Sequence, residues 1–135
     1  MQVHEVMTSS PLSVTTRTTV RQAWEALQSQ DVRHLPVINE ERELVGMLSD
    51  RDFRAPPPGA MSDLLGSSGP SPNAPVAAIM TGAPLAVEQD DEVERVIGLM
   101  LENKIGAVPV TTPEGHVIGI VSYLDLLRKL GSQLE

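Results

Sequence analysis

Two short stretches of this chain carry residue types suited to holding a sugar and an anion. Gly46-Met47-Leu48-Ser49-Asp50-Arg51-Asp52 and Gly119-Ile120-Val121-Ser122-Tyr123-Leu124-Asp125 both read G-x-x-S-x-x-D. Each is β-rich up to its serine and turns helical after it, so Ser and Asp fall on the first turn of a helix. A helix start offers unpaired N–H groups and a positive dipole end to an anion. The Ser hydroxyl can donate to an oxygen, the Asp carboxylate can accept from both vicinal hydroxyls of a ribose, and Gly leaves room for close approach. The same spacing is also a capping box, Ser as N-cap and Asp at N3, which needs no ligand. Capping and binding can coexist at one helix start.

The elements that must position these motifs come in two copies. A shift of 73 residues lays 3–54 on 76–127 without a gap and with 13 identities in 52 pairs, which marks a duplication. Met7-Thr8 falls on Met80-Thr81, Pro11-Leu12 on Pro84-Leu85, and Pro36-Val37 on Pro109-Val110. In each copy a short helical turn leads to an extended stretch, around Leu12 to Val14 and Leu85 to Val87. An amphipathic helix follows, with apolar Val20, Ala23, Trp24 and Leu27, or Val93, Val96, Ile97 and Met100, at the spacing of one buried face. The acidic run Asp90-Asp91-Glu92 in front of the second helix reads as a cap with dipole-complementing charge. Two β-rich runs joined by a polar hairpin turn come next, and a last helix starts after Ser49 and after Ser122. The expected fold class is α+β, two β-α-β-β-α units packed about a pseudo-twofold axis, because about 52 residues bury too little surface alone. The boundaries read 1–54 for the first repeat, 55–75 for a linker, 76–130 for the second repeat and 131–135 for a tail. Of the 21 linker residues 13 are Pro, Gly or Ser, which breaks any regular element. Leu64-Leu65 within it offers a contact that could dock onto a surface, though a mobile connector is the expectation.

Composition narrows the function further. The 135 residues carry 18 acidic against 10 basic side chains, a net charge of −8. Lys occurs only at Lys104 and Lys129, and the aromatics are Trp24, Phe53 and Tyr123, which argues against nucleic acid as a partner. No apolar run approaches the roughly 20 residues of a membrane helix, and the first residues lack a signal peptide's pattern. A cytoplasmic address without membrane attachment is the expectation. Cys is absent, which excludes thiol chemistry and disulfides. His4, His34 and His116 fall in three different elements without ligand spacing, so no metal site is expected. With no Ser-His-acid arrangement and no P-loop, the chain does not read as an enzyme.

The order Met-Thr, Pro-Leu-x-Val, amphipathic helix, Leu-Pro-Val, Leu-Val-Gly-Met-Leu-Ser-Asp-Arg-Asp resembles a cystathionine-β-synthase-type (CBS) domain, and two in tandem resemble a Bateman module. That resemblance implies a regulatory module holding an adenosine-containing ligand between the repeats, an adenine nucleotide (AMP, ADP or ATP) or S-adenosylmethionine, with no catalytic cofactor. It also implies a homodimer and, as no effector domain accompanies the repeats, an effector protein in trans. Ser49/Asp52 and Ser122/Asp125 fall on the family's ribose and phosphate positions, and Thr8, Ser10, Thr81 and Ala83 on the segment lining the base pocket. Arg33 and His34 match where some members place basic residues against phosphate. The copies differ there. Arg33, His34 and Arg51 correspond to Gly106, Ala107 and Leu124, so the two sites should be inequivalent and a polyphosphate should favour whichever cleft those basic residues face. The sequence leaves open which Ser/Asp pair they serve. The alternative is a ligand-independent dimerisation or protein-interaction module in which both motifs serve only as caps.

Overall fold

The computed structural model describes residues 1–54 and 71–134. Most of the expected linker, including Leu64-Leu65, lies outside the described residues. Strands β1 (Thr8–Ser9), β2 (Val14–Thr15), β3 (His34–Ile38), β4 (Leu44–Ser49), β5 (Thr81–Gly82), β6 (Ala107–Thr111) and β7 (Val117–Ser122) alternate with helices α1 (Val20–Gln30), α2 (Val93–Asn103) and α3 (Tyr123–Gln133). The α+β class read from the sequence is the observed one. After Ser49 the chain makes a 3₁₀ turn, Asp50–Phe53, where its copy after Ser122 begins α3.

Local signals explain the helix ends. Thr19 Oγ1 accepts from Gln22 N at 3.1 Å and Gln22 Oε1 accepts from Thr19 N at 3.0 Å, a reciprocal box that starts α1. Asp31 and Lys104 terminate α1 and α2 in the left-handed conformation, and they are one 73-residue step apart. So are Ser10 and Ala83, and Arg42 and Gly115, the remaining residues with positive φ among those described. The duplication is therefore written into the backbone as well as the side chains.

The strands sort into two sheets, ordered β2-β3-β4-β5 and β1-β7-β6. Strands β3 and β4, like β6 and β7, are antiparallel hairpins, with runs of three or four consecutive buried residues in β3, β6 and β7. The edge strands decide the architecture. Strand β1, from the first repeat, pairs with β7 of the second, while β5, from the second, pairs with β4 of the first. The lead segments have been exchanged. Val3 and Val76 are both 0% exposed, and each lies in the other repeat's core: Val3 with Val93, Val96 and Val108, Val76 with Leu27, Leu35 and Leu48. Backbone bonds hold the exchange in place. Val3 N donates to Asp91 O at 2.8 Å and Val20 N to Ala74 O at 2.8 Å, and isolated bridges join Gln2 to Glu92 and Thr19 to Pro75. The acidic run ahead of α2 thus receives the first lead segment; Asp91 also closes its own turn by accepting from Glu88 N at 2.8 Å, and Glu92, the N-cap of α2, makes no side-chain cap bond.

Two readings change. Trp24 does not fill the core. It is 42% exposed and packs beside Phe53 with ring centroids 5.3 Å apart, because the buried stripe of α1 is completed by the smaller Val20, Ala23 and Leu27. The motif glycines make room for protein, not only for a ligand. A Cβ on Gly46 would overlap Met80 Sδ, and one on Gly119 would come within 2.5 Å of Met7 Sδ, each methionine belonging to the exchanged lead. Gly119→Val should cost about 1–3 kcal/mol by overpacking. Adding Met7→Ala should return part of that loss, a coupling that urea denaturation of the two single variants and the double variant will measure.

Candidate ligand-binding cleft

The exchange determines which residues meet at each motif. Strand β1 aligns Thr8 with Ile120 and Ser9 with Gly119, and Ser10 N donates to Ile118 O, so the lead runs along the middle of β7 with Thr8 nearest its Ser122 end. There Thr8 Oγ1 donates to Asp125 Oδ1 at 3.0 Å, while Asp125 Oδ2 accepts from Ser122 N at 2.8 Å and from Ser122 Oγ at 3.0 Å. Asp125 N in turn donates to Ser122 Oγ at 3.3 Å. The equivalent cleft sets Thr81, Gly82 and Ala83 against β4, with Met47 opposite Thr81. Its Asp52 Oδ2 accepts from Ser49 N at 2.7 Å and from Ser49 Oγ at 3.4 Å. The capping-box arrangement is present at both motifs, but only Ser122 makes the side-chain cap bond to the backbone of its helix. All four Ser and Asp residues are half-buried, whereas Thr8, Ser10, Thr81 and Ala83 are exposed. Ser10 and Ala83 hold φ of 49° and 47° at matching ends of the two leads, a conformation that costs a non-glycine residue free energy and turns the chain away after the motif.

The basic residues sort unequally. His34 lies opposite Ser49 across β3 and β4, and Arg33 O accepts from Asp50 N at 3.0 Å, so Arg33, His34 and Arg51 gather at the Ser49/Asp52 end. Arg51 forms no ion pair with Asp50 or Asp52; Asp50 faces Arg54 at 3.9 Å. His34 also reaches the second repeat, since a Cβ on Gly106 would lie 3.3 Å from its Cε1 and Nε2 and 3.4 Å from Tyr123 Cε2. Glycine at 106 is what lets imidazole and phenol approach there. Among the described residues no group of His, Asp or Glu converges in a way that would hold a metal ion.

Burial holds the His34 imidazole below its ordinary titration range. Asp50 and Asp52 pull the other way and are outweighed, with Arg33 and Arg51 adding to the depression. The folded chain therefore takes up this proton less readily than the unfolded chain. Stability from this group is full above about pH 6.5, the unfolded value, and falls as pH drops toward the folded value.

Comparison with known proteins places the chain. A family model described as the CBS domain matches residues 3–55 and 76–132. The chain belongs to the CBS domain family. A CBS domain-containing protein of Dictyostelium discoideum is 29% identical, over 98% of this chain and 93% of that protein. Homoserine O-acetyltransferase of Methanocorpusculum labreanum is 27% identical over 90% of the chain, and inosine-5′-monophosphate dehydrogenase of Methanocaldococcus jannaschii 26% identical over 93%, but the chain spans only 23% of either enzyme. Among solved structures, CBSX2 in complex with AMP superposes with a TM-score of 0.82 at 28% identity, covering 97% of both chains. The CBS domain pair of protein MJ0100, in complex with 5′-methylthioadenosine and S-adenosyl-L-methionine, gives a TM-score of 0.79 at 24% identity over 97% of this chain and 100% of that one, and shows the shared fold.

Sequence reasoning found the Ser/Asp pairs of this CBS pair and missed what sits on them. The Thr8–Asp125 bond and the two methionines packed on the motif glycines join elements more than a hundred residues apart, or joined across the exchange. The repeated Met-Thr at 7–8 and 80–81 was their one signal. In a pH series of melting temperatures, His34→Gln should lose less between about pH 7 and pH 5 than the parent protein does; equal losses would place the imidazole in water.

Proposed function

We propose that this CBS pair is a sensor of adenosyl ligands, built from repeats 1–54 and 76–130 joined through 55–75. An adenine nucleotide or S-adenosylmethionine occupies the clefts formed by Thr8, Ser10, Ser122 and Asp125, and by Thr81, Ala83, Ser49 and Asp52. Each carboxylate takes the ribose hydroxyls, and the exposed lead segment lines the base. Arg33, His34 and Arg51 serve phosphate at the Ser49/Asp52 cleft. The protein acts in the cytoplasm, turns over no substrate, and reports ligand state to an effector protein in trans.

One observation carries this reading: each cleft is made of a lead from one repeat and a Ser/Asp pair from the other, so a ligand bridging the two gains contacts that depend on how the repeats sit together. Binding then shifts the module only by its differential affinity for two arrangements. The likeness to CBSX2 bound to AMP across nearly the whole of both chains supports the ligand class. Homodimerisation is part of the proposal. Helix α3 leaves Leu124, Leu127 and Leu130 exposed, Leu127 by 65%, apolar surface that a second copy could cover.

Satisfied caps also favour the second reading, an interaction module that needs no ligand. Calorimetry with AMP, ATP, adenosine and S-adenosylmethionine on ligand-free protein separates the two. Binding with Asp125→Asn or Asp52→Asn weakening AMP about tenfold, at little change in melting temperature, supports the sensor. Absence of heat and of any melting shift with all four removes it. Arg33→Ala should weaken ATP more than adenosine, and equal effects would take Arg33 out of phosphate recognition.

A further inference from the structure

We propose that Thr8 sets how much of a ribose each cleft accepts: the Asp52 carboxylate has room for both hydroxyls of a diol, and the Asp125 carboxylate has room for one until the Thr8 hydroxyl lets go. The proposal rests on the ligand reading above, in which each carboxylate takes ribose hydroxyls. It follows from a count of acceptor positions. A carboxylate offers about four lone-pair positions, about two on each oxygen. At both motifs Oδ2 is filled by the serine three residues earlier. Asp125 Oδ2 accepts from Ser122 N at 2.8 Å and Ser122 Oγ at 3.0 Å, and Asp52 Oδ2 from Ser49 N at 2.7 Å and Ser49 Oγ at 3.4 Å. The other oxygen makes the difference. Asp125 Oδ1 accepts from Thr8 Oγ1 at 3.0 Å. Among the described residues Asp52 Oδ1 takes no donor, and Thr81, the 73-residue counterpart of Thr8, makes no bond to it. A vicinal diol brings two O–H donors. Asp52 Oδ1 takes both without disturbing any bond, whereas Asp125 Oδ1 takes one, and the second requires Thr8 to withdraw.

The backbone differs at the same places. Asp125 stands in the first turn of α3 and Asp52 in the 3₁₀ turn Asp50–Phe53, so the two carboxylates are carried on differently wound chain. Thr8 is exposed, on the edge strand that pairs with β7, so its hydroxyl has water to turn to once it leaves the carboxylate. The bond it gives up joins the two repeats. The clefts therefore divide two tasks. At Asp52 a second ribose hydroxyl adds a hydrogen bond outright, and at Asp125 it replaces one, so its net gain there is small. Thr8 is in this sense a specificity-determining residue, and the chemistry it governs is ribose against 2′-deoxyribose. Arg33, His34 and Arg51 do not enter the comparison when the probe is a nucleoside, which carries no phosphate.

An NMR titration of the isotopically labelled full chain reads the clefts separately, through the amides of 49–53 and of 122–126, with adenosine and 2′-deoxyadenosine as probes. At 49–53 adenosine should bind about tenfold tighter than 2′-deoxyadenosine, the worth of one hydrogen bond to a charged acceptor, and at 122–126 about twofold tighter or less. Thr8→Val keeps the shape and removes the hydroxyl, so the ratio at 122–126 should rise toward about tenfold. Thr8→Ser should keep that ratio low, and Thr81→Val should move neither ratio. Equal ratios at the two clefts of the parent protein, or a ratio at 122–126 that Thr8→Val does not move, overturn the proposal. Binding confined to 49–53 supports it if Thr8→Val brings 122–126 into range and overturns it otherwise; binding confined to 122–126 overturns it. All of these outcomes leave the sensor reading standing. Absence of shifts at both clefts with adenosine and with AMP ends the sensor reading, and this proposal with it.

Discussion

Val3 and Val76 are fully buried, and each lies in the core of the repeat from which it does not come. Burying a valine is worth about 1.5–3 kcal/mol, and here that gain is available only if the two repeats fold around one another. The edge of each sheet is closed by the partner repeat's lead, so neither sheet has its full set of strands alone. Both motif glycines follow from this packing, since Met7 and Met80 occupy the space a side chain would need. The arrangement also draws Ser10 and Ala83 into a left-handed backbone that neither residue prefers.

The same exchange turns two helix caps into two clefts. A capping box is a local device that serves any helix start. At Asp125 it becomes something more, because Thr8 arrives from the other repeat and takes the free carboxylate oxygen. Under the proposed function a ribose diol takes that same oxygen, so a ligand entering there competes with a bond between the repeats. Under the proposed function this competition is the coupling: occupancy of the cleft and the fit between repeats cannot change independently. At Asp52 no bond from Thr81 appears in the described structure, so the two clefts differ in more than their basic residues.

Charge tells a similar story of shared frame and divergent detail. Across 3–54 there are 8 acidic and 6 basic residues, and across 76–128 there are 8 acidic and 3 basic. The surplus of negative charge sits in the second repeat, while Arg33, His34 and Arg51 belong to the first. Burial depresses His34, so its imidazole takes up a proton less readily than a solvent-exposed one.

The sequence by itself determined the duplication, the α+β class, the starts of α1, α2 and α3 though not a helix after Ser49, where the chain makes only a 3₁₀ turn, and the two Ser/Asp capping pairs. All of these rest on short-range signals: an apolar period, a cap three residues from its partner, a fixed 73-residue register. Trp24 shows where such signals run out, because a residue on an apolar stripe can still lie at its margin, and only the packing of α1 shows that Val20, Ala23 and Leu27 complete the stripe. The tertiary structure alone decided that the leads change places, that Thr8 meets Asp125, and that His34 lies opposite Ser49 while also lying against Gly106 of the second repeat. The reason is physical. Two repeats with nearly the same apolar pattern present nearly the same edge to either lead, so pattern cannot tell self from partner. The choice falls to the chain's geometry and to the methionines that fit beneath Gly46 and Gly119.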